Sequence, residues 1–228
     1  MKSDSEWMSI SDMMSGLMLV FMFIAISFMI QVQTDKDKMK EIAITYNKDK
    51  NELNQDLLKE FSKDLDKWEA EITKDNTILF YSPNVLFEGG KSEIKEQFKS
   101  ILNDFFPRYI EILTSKKYIN EIDEMRIEGH TSNIWESANS KEIIYLKNMQ
   151  LSQERANNVL SYCYMLDTIQ NKREFLENHF RANGMAFAKL KYQDENKTIQ
   201  DFIKSRRVEF KLQMKTEEKI YKILEVSQ

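Results

Sequence analysis

Asp12 is the side chain whose setting most suggests chemistry. It is a single carboxylate at the near edge of an apolar run, with Met8, Ile10, Met13 and Met14 around it. Trp7 suits an interfacial anchor, which puts Asp12 about 7 to 8 Å deeper along a helix. Loss of hydration at that depth disfavours the charged form, and a group that alternates between neutral and charged can load and release a cation. The structural alternative is that Asp12 caps the N-terminus of the span, where headgroups and the helix dipole both suit a carboxylate. The residues alone leave both open. His130 fits a strand-end hydrogen-bonding role better than metal ligation, because no His or Cys partner lies at ligand spacing. His179 fits a surface. Cys163, the sole cysteine, shares a helical face with Ala156, Val159 and Leu160 and fits core packing. One cysteine excludes an intramolecular disulfide and a cysteine-rich zinc site. With no nucleophile elbow, phosphate loop or paired-carboxylate motif, no enzyme active site, metal centre or cofactor is expected.

The elements that position these residues follow from composition. Lys and Arg number 33 against 37 Asp and Glu, a net charge of -4, which fits no general polyanion binder, so nucleic acid is not an expected partner. Only 5 Gly and 2 Pro imply long helices. No charged residue lies between Met13 and Thr34, and a helix over 11–33 is long enough to cross a bilayer core of about 30 Å. A cleavable leader fits poorly. Its n-region is basic, its apolar run about 7 to 15 residues and its end small-x-small, whereas here Lys2 is outweighed by Asp4 and Glu6 and the run ends at Phe28-Met29-Ile30-Gln31-Val32. Residues 1–10 form a short lead.

From 34 to 75 the chain is highly charged, with apolar residues at Met39, Ile42, Tyr46, Leu53, Leu57, Phe61, Leu65, Trp68 and Ile72. This helical spacing predicts a stalk reaching about residue 72, roughly 60 Å beyond the bilayer, its stripe pairing with a second helix or a neighbour. Asp49 and Lys50 interrupt the seam. After residue 76 short apolar runs alternate with amphipathic stretches. Strands are expected at 77–81, 125–128, 180–182 and 208–214. Helices are expected at 94–113, kinked or divided at Pro107, at 151–166 and at 171–178. The fold class is therefore a single N-terminal transmembrane helix, a helical stalk and a C-terminal α+β domain with helices packed on a mixed sheet, followed by a tail at 215–228.

The stretch Trp7-Met8-Ser9-Ile10-Ser11-Asp12-Met13-Met14-Ser15-Gly16-Leu17-Met18 resembles the start of MotB-type stator subunits. The resemblance implies that Asp12 is the ion-carrying residue, that the ion is H+ or Na+, and that the chain works as a homodimer inside a ring of a MotA-like multi-span subunit. Ser15 and Gly16 suit close approach of neighbouring helices. It further implies a cytoplasmic N-terminus and a periplasmic domain. The region after the span plugs the channel in some such proteins, and no residue here establishes a plug.

Val85-Leu86-Phe87, Arg126-Ile127-Glu128-Gly129-His130-Thr131, Asn148-Met149-Gln150-Leu151-Ser152-Gln153-Glu154-Arg155-Ala156 and Arg206-Arg207-Val208-Glu209-Phe210 occur in the order of the OmpA-like peptidoglycan-binding domain, which 76–214 resembles. That resemblance implies that Arg155 pairs with the free carboxylate of the wall peptide, often diaminopimelate, with Asn148, Leu151, Thr131 and Ser132 shaping the groove. A guanidinium fork suits that task through parallel charge-assisted hydrogen bonds. Ser132 stands where the family has an Asp that meets the cationic end of the diamino acid. Either Glu136 or Glu142 replaces that carboxylate, or binding is weaker or altered in specificity. The acidic lead and altered wall motif resemble the MotB-like subunits of the Zorya anti-phage system, which act with a ZorA-type ring. The alternatives are a flagellar-type stator subunit and a passive membrane-to-wall tether.

Overall fold

The computed structural model describes residues 3–81, 83–136, 138 and 140–215, with side chains from residue 11 onward except at 83 and 84. The expected tail at 215–228 thus lies outside the described residues apart from Lys215. The chain divides into a unit containing Met1–Asn47 and a compact unit, Lys48–Lys219.

In the first unit helix α1 (Ser3–Phe61, continuing into the second unit) carries the expected span. It is the one helix among the described residues long and apolar enough to cross a membrane. Every side chain from 11 to 38 is exposed, which suits an apolar surface solvated by lipid or by partner helices rather than by its own fold.

The second unit begins inside α1. Leu53, Leu57 and Phe61 are fully buried and Trp68 nearly so, all in the domain core. Within the expected stalk at 34–75, α1 runs to Phe61, and from Lys48 the chain belongs to the compact unit. The apolar stripe beyond residue 50 packs into its own domain, where Phe61 meets Phe105 of the helix at Glu96–Leu113. Polar contacts fix this end of α1. Arg108 donates to Glu60 and Asp64 at 2.7 and 3.0 Å, and Tyr118 donates to Asp56 at 2.5 Å. A short α2 (Leu65–Trp68) and an unexpected strand β1 (Ala70–Ile72) follow, so Ile72 lies in a sheet.

The remaining elements are β2 (Ile78–Phe80), α3 (Pro83–Leu86), α4 (Glu96–Leu113), β3 (Ile122–Gly129), α5 (Lys141–Tyr164), a 3-10 turn (Asp167–Lys172), α6 (Arg173–His179), β4 (Phe180–Gly184), α7 (Phe202–Ser205) and β5 (Val208–Met214). The sheet order is β1-β2-β5-β3-β4. Only β3 and β4 run parallel, and the other pairs are antiparallel, so the expected mixed sheet is present. In α4, Phe98, Ile101, Leu102, Phe105, Tyr109, Ile110 and Leu113 recur at helical spacing and are all buried. Pro107 lies inside α4 without dividing it, because buried residues on both sides of it hold both halves in the core. Helix α5 starts ten residues before the expected 151, capped by Ser140, which accepts from the Ile143 amide at 3.3 Å. Its first turns are exposed and lack the amphipathic pattern that marks a helix in sequence.

Candidate ligand-binding cleft

Two glycines bring α5 against the sheet. A Cβ on Gly129, at the end of β3, would lie 2.3 Å from the Ser152 carbonyl oxygen, and one on Gly184, at the end of β4, would lie 2.6 Å from the Gln153 nitrogen. Only glycine allows this approach. Ser152 stitches the contact by accepting from the Ala186 amide at 2.9 Å and donating to the Met149 carbonyl at 2.9 Å. Asn148, Leu151 and Arg155, at helical steps of three and four, then share the α5 face that lines a cleft of about 860 Å³.

The cleft brings together five of the expected wall-binding residues, Arg155, Asn148, Leu151, Thr131 and Ser132. Asn148 donates to Ile144 O at 2.9 Å and to Ile134 O at 3.5 Å, so it positions the loop after β3. Thr131 is buried, and its hydroxyl has no hydrogen-bond partner among the described residues. Glu136 lines the cleft and Glu142 does not. The Glu142 carboxyl is held below its usual range by hydrogen bonds from its own backbone and from Ser140, so it serves the α5 N-terminus. Of the two candidates for the missing carboxylate, only Glu136 is in place, on the exposed rim.

Arg155 is 8% exposed. Its Nε donates to Lys91 O at 2.9 Å and its Nη2 to Glu88 O at 3.0 Å, and its guanidinium lies 4.7 Å from the Phe87 ring centroid. It forms no ion pair among the described residues. Burial, and secondarily the charge of Arg206, lower its pKa to about 10. A buried cation held only by neutral groups is costly until an anion arrives. Sequence reasoning quoted Phe87 and Arg206 only within the motifs of the resemblance and missed the carbonyls of Glu88 and Lys91, which no side-chain motif reports.

Beside the cleft, Glu128, His130 and Glu209 converge in the interior. His130 Nε2 lies 3.5 Å from Glu128 Oε2 and from Glu209 Oε1. Sequence spacing sought only His or Cys partners for His130, and Glu209 comes from β5, far along the chain. The carboxylates are already compensated. Arg207 Nε donates to Glu209 at 2.6 Å and Lys189 lies 3.6 Å from Glu128. The arrangement is thus a charge-balanced network that fixes β3 to β5 beside the cleft. His179, expected at the surface, places Nδ1 2.7 Å from Asp123 O, and Cys163 is buried as expected.

In the first unit Asp12 is exposed on α1. Nearby, Ser15 Oγ donates to Ser11 O at 2.8 Å, and a Cβ on Gly16 would meet nothing within 4 Å. The Trp7 side chain lies outside the described residues.

The model of the OmpA family matches residues 86–204, which spans the cleft. The "Zorya protein ZorB" of Escherichia coli is 41% identical over 225 residues, 98% of this chain and 94% of that protein. The chain belongs to the OmpA family and, within it, to the ZorB proteins. Among solved structures, it is similar to a putative MotB-like protein from Desulfovibrio vulgaris, with 22% identity, 74% of this chain and 95% of that chain covered, and a TM-score of 0.49. It is also similar to the periplasmic domain of Helicobacter pylori MotB, with 14% identity, 69% and 97% covered, and a TM-score of 0.44. As a ZorB relative with one apolar N-terminal helix among the described residues and an OmpA-family domain, the chain is a single-pass inner-membrane protein.

Proposed function

We propose that the chain is a stator-type subunit that anchors to peptidoglycan through the cleft around Arg155 and carries a cation, H+ or Na+, on Asp12. The observation that carries the anchoring half is the buried Arg155 guanidinium, pre-oriented by two backbone carbonyls and lacking a carboxylate among the described residues. A free carboxylate at the end of a wall peptide supplies the missing charge. Membership of the OmpA family supports the same reading.

The ion-carrying half rests on one carboxylate at the edge of an uncharged span, beside Ser11, Ser15 and Gly16. One helix per chain cannot enclose an ion path, so a second copy and a MotA-like multi-span partner, a ZorA-type ring, complete it. The N-terminus is cytoplasmic and the domain periplasmic, with Trp7 anchoring the span at the interface. Similarity to the Zorya protein ZorB supports a role for the resulting rotation in anti-phage defence.

Each half has its own test. The detergent-solubilised full chain sediments with purified peptidoglycan and Arg155→Ala does not; undiminished sedimentation of the variant sinks the wall assignment. In cells carrying the gene neighbourhood, Asp12→Asn at matched expression abolishes protection in phage plaquing. Protection retained by that variant would reduce the chain to a passive tether.

A further inference from the structure

The network of Glu128, His130 and Glu209 is balanced in charge but not in hydrogen bonding. Glu128 and His130 are each 2% exposed and Glu209 is 7% exposed. His130 Nε2 stands 3.5 Å from both Glu128 Oε2 and Glu209 Oε1, beyond the usual range of about 2.7 to 3.2 Å for an N–H···O hydrogen bond. His130 Nε2 and Glu128 Oε2 accordingly have no hydrogen-bond partner among the described residues. Buried polar atoms that face one another without bonding are suited to sharing a third group, water or an ion.

The three side chains offer one ligand atom each, all within 4.8 Å of one another. One imidazole nitrogen and two carboxylate oxygens suit a small divalent transition metal. Zinc holds such atoms at about 2.0 to 2.2 Å, and a tetrahedron of that radius sets neighbouring ligand atoms about 3.3 to 3.6 Å apart. Both separations at His130 already have this length. The fold supplies the rest of a site. Glu128 and Glu209 are directly opposite in β3 and β5, and the His130 amide donates to Arg207 O at 3.0 Å. Arg207 Nε donates to Glu209 at 2.6 Å, the kind of outer hydrogen bond that orients a ligating carboxylate. Lys189 lies 3.6 Å from Glu128 with its side chain 48% exposed, so it can turn into solvent when a stronger cation arrives. His130 and Arg207 line the cleft, which gives an ion a way in.

We infer that Glu128, His130 and Glu209 form a binding site for one zinc-class divalent ion, which replaces Lys189 as the counter-charge of Glu128 and ties the end of β3 to β5. The expectation of no metal centre came from seeking His and Cys partners for His130, whereas the partners here are carboxylates, one of them on a distant strand. The inference is independent of the wall-binding reading.

Isothermal titration of the chelator-treated full chain in detergent with zinc chloride is expected to show one equivalent of binding. His130→Gln and Glu128→Gln each weaken it at least tenfold, and His179→Gln leaves it unchanged. Lys189→Ala removes the competing cation and tightens it, an effect that a merely structural network would not produce. Cobalt(II) in place of zinc gives the intense visible absorption of a four-coordinate site rather than the weak absorption of a six-coordinate one. Zinc also raises the urea midpoint of the wild type, but not of His130→Gln, because it binds only the folded chain. Lys189 is at the surface, so Lys189→Ala tests the site even where a buried substitution fails to fold. Absence of zinc binding overturns the inference, as does binding that folded His130→Gln leaves intact or an affinity unchanged by Lys189→Ala.

Discussion

The Arg155 guanidinium lies 4.7 Å from the centre of the Phe87 ring, with its Nε and Nη2 drawn down by the carbonyls of Lys91 and Glu88. The aromatic face and the two carbonyls fix the plane of the fork without neutralising its charge. Rigidity and unspent charge together make a recognition group for a carboxylate.

Arg155→Lys tests the fork against the charge alone. An ammonium cannot reproduce both carbonyl contacts and the stacked plane. We expect wall affinity in sedimentation titrations to fall at least tenfold, consistent with about 1.5 to 3 kcal/mol for hydrogen bonds to a charged group, while the melting temperature changes little. Equal affinity of the lysine variant would show that charge suffices.

Gly129→Ala tests the seating of α5. The new Cβ would overlap the Ser152 carbonyl oxygen, a backbone atom that moves only with the helix. We expect about 1 to 3 kcal/mol of destabilisation in urea unfolding of the full chain, with wall binding weakened because Asn148 and Arg155 move with α5.

Leu57→Ala and Ile44→Ala test where the stalk ends. Leu57 is fully buried and Ile44 is 58% exposed. The first is expected to cost about 2 to 5 kcal/mol and the second to stay within about 0.5 kcal/mol in the isolated chain. Near-neutral unfolding for both would return the helix end at Leu57 to the role of a free stalk.

Acid should weaken the domain in two steps. Burial chiefly, with Arg207 adding, lowers the His130 pKa from its usual 6.5, against the opposing pull of Glu128 and Glu209. Burial pushes Glu128 up, but His130, Lys189 and Lys211 outweigh it and hold Glu128 at about 2 rather than 4.5. Both folded values lie below the unfolded ones, so the unfolded chain takes up protons first. The stability due to His130 is full above pH 6.5 and declines as the pH falls below it. That due to Glu128 declines between pH 4.5 and about 2. Urea unfolding across this range should show both losses, and His130→Gln should remove the upper one. A slope unchanged in His130→Gln would assign the upper loss elsewhere.

The sequence by itself determined the elements whose cause is local. The uncharged span from Met13, the buried stripe of α4 and the four strands expected at 77–81, 125–128, 180–182 and 208–214, each found within a few residues of those bounds, follow from hydropathy and period, which act on neighbouring residues. The motif carrying Asn148, Leu151 and Arg155 was legible through its resemblance to the OmpA-like domain; the helix expected from periodicity began only at 151, and the observed α5 adds the turns that put Asn148 on the same face. Tertiary structure decided what depends on distant partners. The stripe at Leu53, Leu57 and Phe61 has the same period whether it meets a second helix or its own domain, and Arg108, Asp56 and Tyr118 select the domain. The strand β1 is too short to announce itself and exists through pairing with β2. Arg155 and Arg206 are distant in sequence, and only the closure of α5 and α7 around one cleft puts their charges together. Local periodicity encodes which face a residue occupies; which charge is left unpaired is a property of the folded whole.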